Sequence, residues 1–215
     1  MRFARPIRWI LASFGGELVS FDVEGVESSL NSRGHRFYSP EPFEAKFLDS
    51  LLDGLMARKV EPDPKEREKT IRDVATIVAS GTLDLSDALV DENVFLTEWP
   101  TPIEGSFKAE YLTLPEPVLV TAMAKHEKMF PVRDGAGKVT NKFVFVRNSG
   151  EDETVRGGAE WVLNARFNDA KFFFEEDKKR TLADFLEKTQ GILFQEKLGT
   201  VRGRADRLAA LAGSL

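Results

Sequence analysis

The spacing of apolar residues changes several times along the chain, and each change marks an element. Ile7 to Phe14 is rich in β-forming residues, and Gly15-Gly16 offers a tight reversal. Leu18, Phe21 and Val23 can bury on the return strand, so a hairpin is predicted. A further extended stretch follows at Val26 to Leu30, and the polar loop Asn31 to Arg36 leads to Phe37-Tyr38 and the breaks at Pro40 and Pro42. From Phe43 to Arg58, the apolar positions Phe47, Leu48, Leu51, Leu52, Leu55 and Met56 recur at three-to-four spacing and predict an amphipathic helix. Beyond Pro62 and Pro64, Lys65 to Ser80 carries a stripe of Ile71, Val74, Ala75 and Val78. Asp84 to Val94 repeats the pattern with Leu85, Leu89 and Val90, and Ser86 is placed to cap it.

Past a change of direction at Glu98-Trp99-Pro100, Ile103 to Leu112 alternates as a strand does. Pro115 to Met129 suits a short helix that opens on proline. Met129 to Val132 and Lys142 to Val146 bracket the turn-like Arg133 to Lys138, a hairpin whose second strand is apolar enough for burial on both faces. Glu153 to Phe174 is helical in period, with Gly157-Gly158 expected to interrupt or delay it. Leu182 to Phe194 predicts another helix and Ala205 to Leu215 the start of one more. The apolar side of that last helix would find partners only if more chain followed. Strands mixed irregularly with helices give an α+β class, a mixed and largely antiparallel sheet with packed helices, because the strict alternation of a parallel fold is missing.

Composition narrows the chemistry. No cysteine is present, which removes disulfides, thiolate nucleophiles and thiolate zinc sites, and two histidines are too few for most metal centres. No run approaches the length of a membrane helix and no leader pattern opens the chain, so a soluble, cytoplasmic protein with no membrane contact is expected. A net charge of -5 argues against a surface that grips nucleic acid all over. A local basic patch can still act within about 8–10 Å, the screening length in physiological salt.

Two such patches are candidates. Arg33-Gly34-His35-Arg36 sets two guanidinium groups and an imidazole around a permissive glycine, suited to phosphate or a base edge. The competing reading pairs Arg33 and Arg36 with carboxylates such as Glu27 or Glu98 and makes His35 a loop cap. Lys125, His126 and Lys128, with Arg133 on the next hairpin, would form a second basic surface toward a nucleic-acid backbone. Cations near a helix C-terminus are favoured without any ligand, however. Asp169, Glu175, Glu176 and Asp177 lie among Lys171, Lys178, Lys179 and Arg180 and read as solvated ion pairs. Phe172-Phe173-Phe174 reads as core rather than as a stacking platform, with at least one of the three consecutive rings pointing away from the main core. Phosphate-loop, dinucleotide and serine-hydrolase signatures are absent, so catalytic, cofactor and metal residues are assigned to none.

Taken in order, these segments are specific. Arg5-Pro6-Ile7-Arg8-Trp9, Arg33-Gly34-His35-Arg36-Phe37, Glu98-Trp99-Pro100 and Leu114-Pro115-Glu116 resemble the β subunit of the two-subunit bacterial glycyl-tRNA synthetase. His126 to Asp134, Ala165-Arg166, Asp169 to Phe173, Asp177-Lys178-Lys179 and Phe194 to Gly199 extend the resemblance over essentially the whole chain, as an internal piece of a family member. Departures fall at Glu127, Met129, the segment Gly158-Ala159-Glu160-Trp161, Asn164 and Asn168, and they put contacts at Glu127 and Asn164 in doubt.

The resemblance implies a non-catalytic part of a glycine-tRNA ligase. In that enzyme an α subunit, using ATP and magnesium, activates glycine and charges glycine tRNA, in a complex of two α and two β chains. The piece itself holds no cofactor. By position and pattern the segment is also similar to the editing-type module of phenylalanyl-tRNA synthetase β subunits, a likeness of fold that carries no activity with it. The implied organisation is a tRNA-contacting α+β module over 1–190, with a helical excursion at 61–94, and a helical entry over 191–215 to a following HD-like domain. Three roles follow: a tRNA-contacting domain, an interaction scaffold in which exposed Trp99 and Trp161 would anchor the α subunit or other β domains, and an editing hydrolase built around His35 or His126.

Overall fold

The strand with the densest apolar run organises the first part of the chain. The computed structural model describes residues 6–214, so Arg5 of the opening motif and Leu215 of the final helix lie outside the described residues. The chain divides into two compact units, one up to Phe167 and the other Asn168–Leu215, whereas the sequence reading changed module at 190/191.

In the first unit, a hairpin-rich amino-terminal part carries β1 (Ile10–Leu11), β2 (Ser13–Phe14), β3 (Glu17–Leu18), β4 (Asp22–Val23), β5 (Val26–Ser29), β6 (Asn31–Arg33) and β7 (Pro42–Glu44). β2 and β3 form the expected two-residue hairpin. Gly15 and Gly16 both take positive φ, 59° and 88°, as a turn matched to strand twist requires. β5 lies between β4 and β1, and its pairing with β1 is parallel; the other described pairings are antiparallel. The helix expected from Phe43 begins later, as α1 (Leu48–Met56). Phe43 and Ala45 instead alternate inward from β7 and its extension, and β7 pairs with β6, a strand inside the stretch read as a polar loop.

α2 (Pro64–Val78) starts where Asp63 accepts the Lys65 N–H at 2.8 Å and proline takes the first turn. β8 (Thr82–Leu83) leads to α3 (Asp87–Leu96), which has Ser86 at its N-cap position but no side-chain bond from it. β9 (Thr101–Ser106) is shorter than the predicted strand, because the chain turns into a 3-10 segment at Ala109–Thr113. α4 (Glu116–Val120) widens into a π-helical turn at Thr121–His126 before β10 (Phe130–Arg133) and β11 (Val139–Arg147). The sheet order is β8-β10-β11-β9.

Both faces of β11 are covered, as its composition predicts. Val144 joins Ile71, Ala75, Leu89, Val90, Val94, Phe130 and Val132 in a core shared with α2 and α3. Phe143, pointing the other way, lies against Gly105 on β9, where an added Cβ would come within 2.7 Å of its ring. α5 (Asp152–Asp177) runs unbroken through Gly157-Gly158, contrary to the expected interruption, since Leu163 and Phe167 bury and Phe167 meets Phe107 at 4.7 Å.

α5 also seals the free edge of β9. Arg156 donates to the Glu104 carbonyl at 3.0 Å, while Glu160 accepts the Ser106 N–H at 2.8 Å and Asn164 the Lys108 N–H at 2.9 Å. Four helical residues rise about 6 Å and two strand residues about 6.6 Å, so side chains at every fourth helix position meet alternate outward groups of the strand. The Glu104 carbonyl and Ser106 N–H of the edge, and the Lys108 N–H just past it, are thereby satisfied. The doubt at Asn164 resolves into this structural bond.

The second unit continues α5 and contains α6 (Leu182–Lys188), a 3-10 turn, the short pair β12 (Leu193–Gln195) and β13 (Gly199–Thr200), and α7 (Val201–Ala212). The helix predicted to run to Phe194 therefore stops early. Phe172 and Phe173 are both exposed, where the run was expected to be core with at least one ring turned away, and Leu208 and Leu211 are exposed too.

Candidate nucleic-acid interface

The loop from β6 to β7 is built around His35. The ring is 2% exposed, and its Nδ1 accepts N–H groups from Phe37 at 3.1 Å and Tyr38 at 3.3 Å, which leaves the proton on Nε2. The His35 N–H donates to the Arg58 carbonyl at 2.9 Å, and its own carbonyl accepts from Ser39 at 2.8 Å. Nε2 is buried without a hydrogen-bond partner and stands 3.9 Å from a Glu98 oxygen. His35 is thus a loop cap, the competing reading of the sequence, and not a surface contact.

What the wrapped loop presents is its arginines. Arg33 and Arg36 are exposed, and they line a cleft of about 660 Å³ with Pro6, Arg8, Trp9, Gly34 and Pro40. Arg33 donates to the Pro40 carbonyl at 3.0 Å and lies 5.8 Å from the centroid of the Trp9 ring. Among the described residues no carboxylate lines the cleft, and neither Arg8 nor Arg36 has an ion-pair partner. The predicted pairing of Arg33 or Arg36 with Glu27 or Glu98 does not form. Gly34 packs its backbone against Arg58, so the glycine provides close approach within the protein. Arg8 and Trp9 were absent from the candidate contacts, although an arginine beside a tryptophan just after proline is itself a signal in the opening motif.

The second candidate patch is largely neutralised. Lys128, at φ 58°, pairs with Glu92 at 2.5 Å and donates to the Lys125 carbonyl. Arg133 is shared between Glu116 at 2.7 Å, Asp84 at 3.2 Å and the Gly137 carbonyl at 2.9 Å. The hydrogen bond to Glu116 is the main reason its guanidinium pKa is raised above the ordinary arginine value. Lys125 and His126 are exposed at the end of the π-helical turn, and Glu127 is taken up by Arg166. The expected single basic surface therefore reduces to Lys125 and His126. Trp99 is half-buried and lies under Lys59, while Trp161 is 73% exposed on α5. Among the described residues, no cluster of acidic, histidine or cysteine side chains could hold a metal ion and no helix is long and apolar enough to cross a membrane.

The family model described as glycyl-tRNA synthetase beta subunit matches residues 1–215. A glycine–tRNA ligase beta subunit from Dictyoglomus turgidum is 43% identical over 97% of this chain and 31% of its own length. The one from Geobacter metallireducens is 41% identical over 100% of the chain and 32% of its own length; for Thermodesulfovibrio yellowstonii the identity is 37% over the same shares. The chain spans about a third of the length of these curated relatives. With the ordered motifs, the α+β architecture and a match from end to end, the chain belongs to the glycyl-tRNA synthetase beta subunit family.

Proposed function

We propose that this chain is a tRNA-contacting, non-catalytic module of a glycine-tRNA ligase, which binds glycine tRNA and helps present it to the α subunit. The α subunit, using ATP and magnesium, forms glycyl-tRNA in a cytoplasmic complex of two α and two β chains. The observation that carries the reading is the Arg8, Arg33 and Arg36 cleft, with no carboxylate among its described lining residues in a chain of net charge -5. Affinity there is electrostatic, so log K falls with log salt by about 0.7–0.9 per phosphate neutralised. The test measures binding of the chain to glycine tRNA across a salt series beside the Arg33→Ala/Arg36→Ala variant. Weaker binding and a slope shallower by about 1.4–1.8 are expected for two lost contacts. An unchanged slope would remove the cleft from the interface.

Trp161 favours a second reading, an interaction scaffold. A large ring exposed on a helix beside Gly157, Gly158 and Ala165 is the kind of anchor found at interface centres. In the full-length β subunit, Trp161→Ala would weaken association with the α subunit in this reading and leave tRNA affinity of the isolated β chain unchanged. An editing hydrolase gains no support from His35, whose buried ring already accepts two N–H groups. The likeness to the phenylalanyl-tRNA synthetase editing module is proposed for the architecture alone.

A further inference from the structure

We propose that the cleft of Arg8, Trp9, Arg33 and Arg36 receives a single unpaired nucleotide of the RNA, its base against the Trp9 indole and its phosphates between the guanidinium groups. The inference rests on the tRNA-contacting reading and specifies what that site takes.

Shape is the first argument. A duplex offers a broad convex backbone, and phosphate contacts to it need only an open basic surface. Here the cations surround a concavity of about 660 Å³, within the range of about 300–1,000 Å³ typical of small-molecule sites. The indole is the second. Trp9 is 47% exposed and lies within the cleft rather than on a convex face. A paired base is stacked on its neighbours and cannot offer its face to such a ring, whereas an unpaired base can be splayed out onto an aromatic or guanidinium plane.

Charge is the third. A nucleotide within a strand is flanked by two phosphates, and the cleft opposes them with arginines whose planar forks suit phosphate oxygens. The walls are also held in place before any ligand arrives. Arg33 is tied to the Pro40 carbonyl, and the loop carrying Arg36 is wound on the buried His35 ring. A preformed loop loses little freedom on binding. Among the described lining residues, base identity has no reader beyond the arginines themselves, so the site discriminates unpaired from paired RNA more than one base from another.

The test uses the full chain with two probes of equal phosphate number: a short unstructured RNA and a blunt-ended RNA duplex. Wild type is expected to bind the unstructured RNA more tightly, with quenching of tryptophan fluorescence that the Trp9→Phe variant loses. Trp9→Ala should weaken that binding on the order of 10- to 100-fold, as loss of one base–aromatic stack implies, and weaken duplex binding far less. Trp9→Phe should recover most of the affinity. Should Trp9→Ala fail to fold, the difference in quenching between wild type and Trp9→Phe still decides. Equal binding of both probes, unaffected by Trp9 replacement and weakened for both by Arg33→Ala/Arg36→Ala, would overturn the nucleotide pocket while leaving the tRNA-contacting role standing. No binding of either probe at low salt would overturn both.

Discussion

Gly34→Ala tests whether the cleft is held together by the packing beneath it. A Cβ at Gly34 would lie 2.3 Å from the Arg58 Cβ, 2.7 Å from the Ser39 carbonyl oxygen and 3.1 Å from the Arg58 Cδ. Carbon atoms in good contact sit about 3.5–4.0 Å apart, so the overlap exceeds an ångström and involves two anchored walls. Arg58 is fixed by its guanidinium, 4.4 Å from the Phe43 ring centroid, and by a hydrogen bond to the Gly54 carbonyl at 3.2 Å. The Ser39 N–H is bound to His35.

Overpacking of this kind costs about 1–3 kcal/mol. The loss of glycine's freedom in the unfolded chain returns about 0.4–1 kcal/mol, so from the middle of the overpacking range, about 2 kcal/mol, a net destabilisation of roughly 1–1.6 kcal/mol remains. Urea unfolding followed by tryptophan fluorescence is the assay. Trp9, Trp99 and Trp161 are the only tryptophans and all precede Phe167, so the signal reports the first unit. With a slope of about 2 kcal/mol per molar urea, the middle of the usual range, the midpoint should fall by roughly 0.5–0.8 M. RNA affinity should fall with it, although no charge has been removed. Gly135→Ala, where an added Cβ meets nothing within 4 Å, is the control and should not lower the midpoint. A Gly34→Ala protein as stable as wild type would refute the account of the loop as a packed support.

Gly158→Ala should stabilise the first unit by about 0.5–1 kcal/mol in the same urea assay, since the position is helical and an added Cβ meets nothing within 4 Å. Glu160→Ala leaves the Ser106 N–H and hydroxyl at the β9 edge without their acceptor and should cost about 1–3 kcal/mol. A midpoint equal to wild type would mean that water replaces the carboxylate. Arg133→Ala should lower stability by about 1 kcal/mol through its partly exposed ion pairs and leave the salt slope of tRNA binding unchanged; a shallower slope would return Arg133 to the interface. The Asp184 carboxyl is held below the ordinary aspartate pKa by the Thr181 backbone N–H first and its hydroxyl second. Its folded value being the lower one, its contribution is present above the unfolded pKa and lost as pH falls through the folded value. Carboxyl NMR titration should show the low midpoint, and Thr181→Ala should raise it only partway, because the backbone donor remains.

Elements were legible where one period dominates. α2 announces itself through Ile71, Val74, Ala75 and Val78 together with Asp63-Pro64, and β11 through an apolar run that two core faces require. α1 was misplaced because Phe43 and Phe47 stand four apart, and a helical period there hides the two-residue alternation that buries Phe43 and Ala45. β6 was illegible for the opposite reason: Asn31-Ser32-Arg33 lies in a small, mostly exposed pairing that demands no apolar face. Gly157-Gly158 misled because their intrinsic cost is about 1 kcal/mol each, less than the burial of Leu163 and Phe167 on the same helix supplies. At the site, the cluster around Gly34 was visible, but the roles within it were not. Which of the three polar residues Arg33, His35 and Arg36 turns inward depends on the carbonyl of Arg58, more than twenty positions away.

The proposed roles of cleft and exposed tryptophan depend on one another in energy. Three arginines neutralise few phosphates, and non-specific contacts of this kind give dissociation constants of about 10⁻⁴–10⁻⁶ M at physiological salt. That is weak for a module acting alone. Held beside other tRNA-binding surfaces, the same cleft acts at an effective concentration that raises overall affinity by about 10²–10⁴ without any new contact, provided the geometry lets all sites engage together. An anchor such as Trp161, docked on a neighbouring subunit, would supply that geometry, while the preformed loop on His35 keeps the cleft ready at little entropic cost. Under that proposal the chain would contribute orientation of the RNA more than tight grip. Loss of the docking surface should therefore impair charging by the assembled enzyme even when the cleft is intact.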